Sequence, residues 1–177
     1  QAIRQRTLVR DIQLYLAAGQ ASCDTGVQDP AALIRGLAER LPERRCVHPV
    51  SVSVDALPSV ALDAEWLIHS LRLILENAVQ HSAPERPLIV RVCSRSQQGR
   101  AQIRVADDGL GIPEAYRERV FGVFEQLRPA DDPRRTGIGL AILRRIMETI
   151  GGRVWAEETP GGGTTIVLEF PTGETSL

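Results

Sequence analysis

The chain has 177 residues, 43% of them hydrophobic and 24% charged, which fits one globular domain, alone or with a short appendage. Its 21 basic and 22 acidic residues leave a net charge of −1, which argues against a non-specific nucleic-acid binder or a polybasic membrane anchor. Every basic residue is arginine, so a Walker-type phosphate loop, a Schiff-base enzyme and a lysine general base are excluded.

Ile3, Leu8, Ile12 and Leu16, joined by Val9 and Tyr15, predict a helix over 3–18 that stops at Gly19. A small polar stretch through Gln28 reads as a linker. Asp29-Pro30 gives an N-cap followed by proline at the first helical position, and Leu33, Ile34, Leu37 and Leu41 carry that helix to Pro42. Val50, Val52 and Val54 alternate as a short strand. Asp63 caps a long helix, 63–80, with a buried stripe of Leu67, Leu71, Ile74, Leu75 and Ala78. Residues 88–93 and 101–106 form two strands joined around Gly99. From Asp107 to Thr136 the composition turns to Gly, Pro, Asp and Arg, broken by Phe121-Gly122-Val123-Phe124. A helix over 137–150 closes on Gly151-Gly152, and strands 153–156 and 164–170 follow, linked by Thr159-Pro160-Gly161-Gly162-Gly163.

This order does not alternate regularly, so an α/β fold with a mixed sheet and helices on one face fits better than a doubly wound one. A loop of about 30 residues inside it points to a functional lid or a disordered segment. No apolar run approaches the roughly 20 residues of a membrane span. Cys23, Cys46 and Cys93 have no framework spacing, which suggests reduced thiols and a cytoplasmic setting. Cys46-Val47-His48 would be half a metal site, with no second half in view. Gln1 starts inside a helical pattern without an initiator Met, which suggests a piece of a longer protein.

Three clusters carry chemistry. Asp107-Asp108-Gly109-Leu110-Gly111 ends an apolar strand; its carboxylate can accept from an exocyclic amine while glycines let backbone approach a flat ligand. Alone, it reads more readily as a solvated turn. Thr136-Gly137-Ile138-Gly139-Leu140 opens an amphipathic helix, whose unpaired amides suit phosphate; an arginine-rich loop rather than a strand precedes it, so a Rossmann reading fails. Glu76-Asn77-Ala78 puts Asn, a poor interior helix residue, beside an apolar stripe, where its carbonyl oxygen could ligate Mg²⁺.

In this order and spacing the clusters resemble the ATP-binding domain of sensor histidine kinases, of the family shared with gyrase B and Hsp90. Residues 75–82 resemble the N box, 105–112 the first glycine box, 120–124 the F box and 136–142 the second glycine box. Gly151-Gly152 and Gly161-Gly162-Gly163-Thr164 match the end of the pattern, so the resemblance covers about 46–171. The wording around 124–127 and 136–139 is nearest that of phytochrome-type kinases.

The resemblance implies a two-layer Bergerat sandwich holding ATP and Mg²⁺ between helix and lid. Asp107 would accept from the adenine amine with Thr164 behind it through water, Asn77 would hold Mg²⁺, and Gly109 and Gly111 would shape the base pocket. Thr136, Gly137, Ile138, Gly139 and Leu140 would bring lid amides to the phosphates, and Phe121 and Phe124 would anchor the lid by being buried. Glu76 is the one candidate for a catalytic carboxylate. Four positions depart from the pattern: Leu73 replaces a polar residue, Gln80 and His81 replace Lys and an aromatic, and Arg135 replaces a glycine. Arg134 or Arg135 could compensate at the phosphates, or be solvated loop residues. His48, His69 and His81 lack the H-box context, so the acceptor His is expected outside this chain.

The implied organisation is 1–20 as the end of a dimerisation helix, 21–45 as linker and first helix, and 46–177 as the ATP-binding domain. Implied partners are the dimerisation and phosphoacceptor domain of a homodimeric parent and the receiver domain of a response regulator. The competing reading is a degenerate regulatory module of a parent acting mainly as phosphatase or scaffold, which Leu73 and Gln80 favour.

Overall fold

The computed structural model describes residues 2–23, 27–41, 48–127 and 136–171. Cys46, Arg134 and Arg135 therefore lie outside the described residues. In chain order the elements are α1 (Ala2–Ala17), a 3₁₀ turn (Ala18–Gln20), β1 (Val27–Gln28), α2 (Pro30–Ala38), β2 (Val50–Val54), β3 (Val60–Ala61), α3 (Ala64–Gln80), β4 (Leu88–Gln97) and β5 (Arg100–Asp107). Two 3₁₀ turns (Glu114–Tyr116 and Arg119–Phe121), α4 (Gly139–Thr149), β6 (Arg153–Glu158) and β7 (Thr164–Glu169) follow.

The main sheet has the order β2-β4-β5-β7-β6; β2 runs parallel to β4 and the other pairs are antiparallel, so the sheet is mixed as expected. One face is apolar. Leu88, Val90 and Val92 of β4 are buried while Arg91 between them is exposed, the period-two signature of a half-covered sheet. Leu67, Leu71, Ile74, Leu75 and Ala78 of α3, with Ile142, Leu143, Ile146 and Met147 of α4, close the core over that face.

The helix starts follow from their caps. Asp29 Oδ1 accepts from the backbone N–H of Ala31 at 3.0 Å and of Ala32 at 3.3 Å, and Asp63 Oδ1 from Glu65 at 2.9 Å. At the far end of α4, Gly151 takes φ +75° and the Gly152 N–H reaches the Met147 carbonyl at 2.8 Å, closing the last turn. The β4–β5 turn is Gln98-Gly99 with both φ positive, which matches the right-handed twist of the strands it joins.

Two expectations change. Val27–Gln28, read as linker, pairs antiparallel with Val60–Ala61; two residues carry no periodicity to detect. The apolar residues of the first helix do not form one stripe. Leu8, Leu14 and Tyr15 pack on the core, whereas Val9, Ile12 and Leu16 face outward and are exposed. The helix has two apolar faces and the domain covers one of them.

Candidate nucleotide-binding site

A cavity of about 660 Å³ opens between α3, the N-terminus of α4 and one side of α1. Asp107 sits at its inner end, the last residue of β5, across from Thr164 at the start of β7, and is only 5% exposed. Its Oδ1 accepts two backbone N–H groups, from Gly109 at 2.9 Å and Thr164 at 3.1 Å. Both of its hydrogen bonds to described residues fall on that oxygen, leaving Oδ2 for the cavity. Burial pushes the carboxyl above its usual range, and the two amides pull it part of the way back.

The glycines around Asp107 serve the carboxylate. A Cβ at Gly109 would lie 2.5 Å from the His81 carbonyl and 2.9 Å from Asp107 Oδ1; one at Gly163 would lie 2.0 Å from the Asp107 carbonyl. The expected role of Gly109, backbone approach to a flat ligand, gives way to a role in closing the turn that holds Asp107. Gly109 itself does not line the cavity, whereas Gly111 does. Asp108 turns the other way, accepting from the Ile89 N–H at 2.8 Å and pairing with Arg86. Two adjacent aspartates thus face different ways, one toward the cavity and one toward the β4 backbone and Arg86.

Along α3, Glu76, Asn77 and Gln80 face the cavity, together with Leu73 and the C-cap residue His81. The Asn77 side chain makes no hydrogen bond to a described residue, so its carbonyl oxygen is open to a ligand, which fits a place for Mg²⁺ beside Glu76. No group of three or more acidic, His or Cys side chains suited to a metal occurs among the described residues. Opposite, Thr136, Gly137, Gly139 and Leu140 line the cavity and Gly139 approaches the Leu73 side chain. The α4 N-terminus has no side-chain cap, so its first amides point unpaired toward this end. Gly137 takes φ +73°, and a Cβ there would press on the backbone of Phe124 and Glu125, pinning the two ends of the expected lid together. The Thr164 backbone N–H donates directly to Asp107 Oδ1.

Ile138 is a fully buried core residue and does not line the cavity. The F box splits. Phe121 is 2% exposed, with the Arg144 guanidinium 5.5 Å from its ring centroid, and anchors this segment as expected. Phe124 does not: it is 59% exposed at φ +65°, a left-handed turn residue whose ring points away from the core.

Several lining residues were not read from the sequence. Arg6, Thr7, Arg10, Asp11 and Leu14 of α1 and His69 and Arg72 of α3 border the cavity, with Glu125, Gln126 and Leu127. Asp11 accepts a hydrogen bond from the Thr136 hydroxyl. The signal for those on α1 was the i, i+3, i+4 spacing of polar Arg6, Thr7, Arg10 and Asp11 along one side of the first helix, with Leu14 continuing that side. His69 is pushed below its usual pKa by burial and by Arg72 and Arg10, against a smaller opposing pull from Asp11.

Residues 62–174 match the histidine kinase-, DNA gyrase B- and HSP90-like ATPase family. Among individual proteins, the chain is 27% identical over 168 residues to the phytochrome-like protein Cph1 of Synechocystis, covering 95% of this chain and 22% of that protein. It is 36% identical over 126 residues to the sensor protein KdpD of Mycobacterium tuberculosis, covering 70% of this chain and 14% of that one. The structure of full-length ShkA in complex with AMPPNP superposes with a TM-score of 0.72 at 26% identity, covering 93% of this chain and 35% of that one. The chain thus spans about a fifth or less of the curated relatives named here. A buried strand-end aspartate facing a cavity between two helices, and a match over most of the sequence, lead to one conclusion: the chain belongs to the histidine kinase-, DNA gyrase B- and HSP90-like ATPase family.

Proposed function

We propose that the cavity binds ATP with Mg²⁺ and that the chain is the catalytic, ATP-binding part of a two-component sensor histidine kinase. The observation that carries this reading is Asp107: two backbone amides fix one oxygen, and the other is held at the buried end of the cavity, where only a donor such as the adenine amine satisfies it. The unpaired α4 amides at the opposite end suit phosphates. Asn77 would hold Mg²⁺, whose charge would offset that of the phosphates. Glu76, next to it, would accept the acceptor imidazole's proton as the γ-phosphoryl is transferred and ADP leaves. The names of Cph1, KdpD and ShkA's nucleotide complex support the reading.

In this reading residues 1–20 are the end of a dimerisation helix, and the outward apolar face of Val9, Ile12 and Leu16 supports that. The partners are then the phosphoacceptor domain of a homodimeric parent and a response regulator, in the cytoplasm. No helix among the described residues is long and apolar enough to cross a membrane. The alternative, a regulatory module that binds nucleotide without transferring phosphate, is favoured by Leu73, an apolar side chain at the phosphate end of the cavity.

Calorimetric titration with a non-hydrolysable ATP analogue and Mg²⁺ tests binding. Incubation with labelled ATP then separates the readings: a kinase labels an added phosphoacceptor domain on histidine and leaves the isolated chain unlabelled. Binding without transfer favours the regulatory module, and acid-labile phosphate on His48, His69 or His81 would overturn the placement of the acceptor outside this chain.

A further inference from the structure

Arg6 and Arg10 of α1 and Arg72 of α3 border the cavity, yet none carries an ion pair or hydrogen bond to another described residue. Arg86, Arg104, Arg117, Arg144 and Arg153 pair with carboxylates, and the other described arginines that make no such pair, Arg35, Arg40, Arg91, Arg95 and Arg145, do not border the cavity. Carboxylates are also close at hand in the cavity, but Asp11 is taken by the Thr136 hydroxyl, and Glu76 does not close on Arg72 one turn away. None of the lining carboxylates pairs with these three guanidiniums, so their donors are left for a ligand, and a polyanion bound among them would satisfy them.

The place of the arginines is the second observation. Arg10 and Arg72 both act on His69, so they converge on the N-terminal part of α3. His69 lies eight residues before Asn77, about 12 Å along the helix, and Asp107 lies beyond the other end, at the His81 carbonyl side. The α4 N-terminus meets Leu73 in this same region. His69 Nε2 is buried there with no hydrogen-bond partner among the described residues. Two unpaired guanidiniums, an uncapped helix N-terminus and an orphaned ring nitrogen thus gather at the end of the cavity away from Asp107, with Arg6 one turn before Arg10 on the same border.

We propose that Arg6 and Arg10 of α1, together with Arg72, hold the terminal phosphates of the bound nucleotide, so that α1 is part of the nucleotide site. The inference rests on the reading of the cavity as an ATP site and deepens it: the base is held by the sheet, and the phosphates by a helix outside the matched segment 62–174. A triphosphate then ties α1 to the domain, whereas a nucleoside does not. Thr136 and Asp11 already join α1 to the start of the second glycine cluster, so the bound nucleotide would reinforce a contact that is present without it.

The test uses the whole 177-residue chain and two probes, a non-hydrolysable ATP analogue with Mg²⁺ and adenosine. Both arginines are exposed on a helix, where Gln is an equally good helix former, so Arg6→Gln/Arg10→Gln preserves folding. The double variant is expected to bind the analogue about 2- to 30-fold more weakly, the range for two exposed charge-assisted contacts. Adenosine affinity should stay within about twofold, and the loss of analogue affinity with added salt should become shallower. Arg10→Lys, which keeps the charge, should retain most of the analogue affinity. Unchanged analogue affinity overturns the inference. So does an equal loss for adenosine, which would mean that α1 only braces the fold. A parent chain that binds adenosine as tightly as the analogue overturns the inference and leaves the adenine reading standing, while one that binds neither refutes both.

Discussion

Replacing Asp107 by Asn isolates adenine recognition from folding, because the surroundings dictate how the new amide must sit. Oδ1 accepts from the Gly109 and Thr164 amides at 2.9 and 3.1 Å, and only an oxygen can occupy that position. The carbonyl oxygen of the introduced amide therefore takes it, and the NH₂ group is forced to the cavity side, where it meets the adenine amine donor to donor. The loss is a hydrogen bond to a charged acceptor plus an unsatisfied donor, about 1.5–3 kcal/mol, or about 10- to 150-fold in affinity. Stability should not fall, because the carboxylate is 5% exposed and burial already raises its pKa; the neutral amide removes that desolvation cost. Titration calorimetry with Mg²⁺ and the ATP analogue, paired with urea unfolding, reads both quantities. An inosine analogue, which carries an oxygen in place of the amine, should lose far less and can bind the variant better than the parent. A folded Asp107→Asn that binds the adenine analogue as the parent does would refute the assignment.

Other perturbations follow from the same geometry. Gly163→Ala places a methyl 2.0 Å from the Asp107 carbonyl at φ +105°, and should cost about 3 kcal/mol or more, a Tm drop of about 6–12 °C by calorimetry; Gly36→Ala, with open space in the middle of α2, should instead gain about 0.5–1 kcal/mol. Phe121→Ala should cost about 3–5 kcal/mol in urea unfolding, whereas Phe124→Ala should stay within about 0.5 kcal/mol. An equal loss at the two phenylalanines would contradict the exposed position of Phe124. His69, whose folded pKa lies below the ordinary histidine value of 6.5, binds fewer protons folded than unfolded, so its contribution to stability falls as pH drops below 6.5; His69→Gln should flatten the stability difference between about pH 7.5 and 5.5. A difference as large in the variant as in the parent would assign the titration to another group.

The parts of the fold that could be read were those whose cause is local. Asp29 and Asp63 announce α2 and α3 because an N-cap works within three residues, and Gln98-Gly99 announces its hairpin because both residues must take positive φ. The pairing of β2 with β4 in parallel, and of β5 with β7 across the whole of α4, depends on contacts remote in sequence and left no periodic trace. Phe121 and Phe124 show the same limit at closer range. Two identical side chains three positions apart predict the same burial, but a single left-handed residue turns the second outward.

The site divides in the same way. Its base end was legible because an aspartate at a strand end, flanked by glycines, is a local pattern; the structure changes only what the glycines do, since the missing Cβ atoms at 109 and 163 make room for Asp107 and its turn. Its other end was half hidden, because the arginines that border it sit on α1 and α3, some 60 residues apart in sequence, and on α1 they alternate with residues that pack on the core. A helix with one face on the core, one apolar face in solvent and a polar edge along a cavity is built for three neighbours at once. Sequence periodicity resolves one face of a helix well and three poorly. Val9, Ile12 and Leu16 on the outward face and Arg6, Arg10 and Asp11 on the cavity border are thus carried by one helix, which the Thr136–Asp11 hydrogen bond joins to the start of the second glycine cluster.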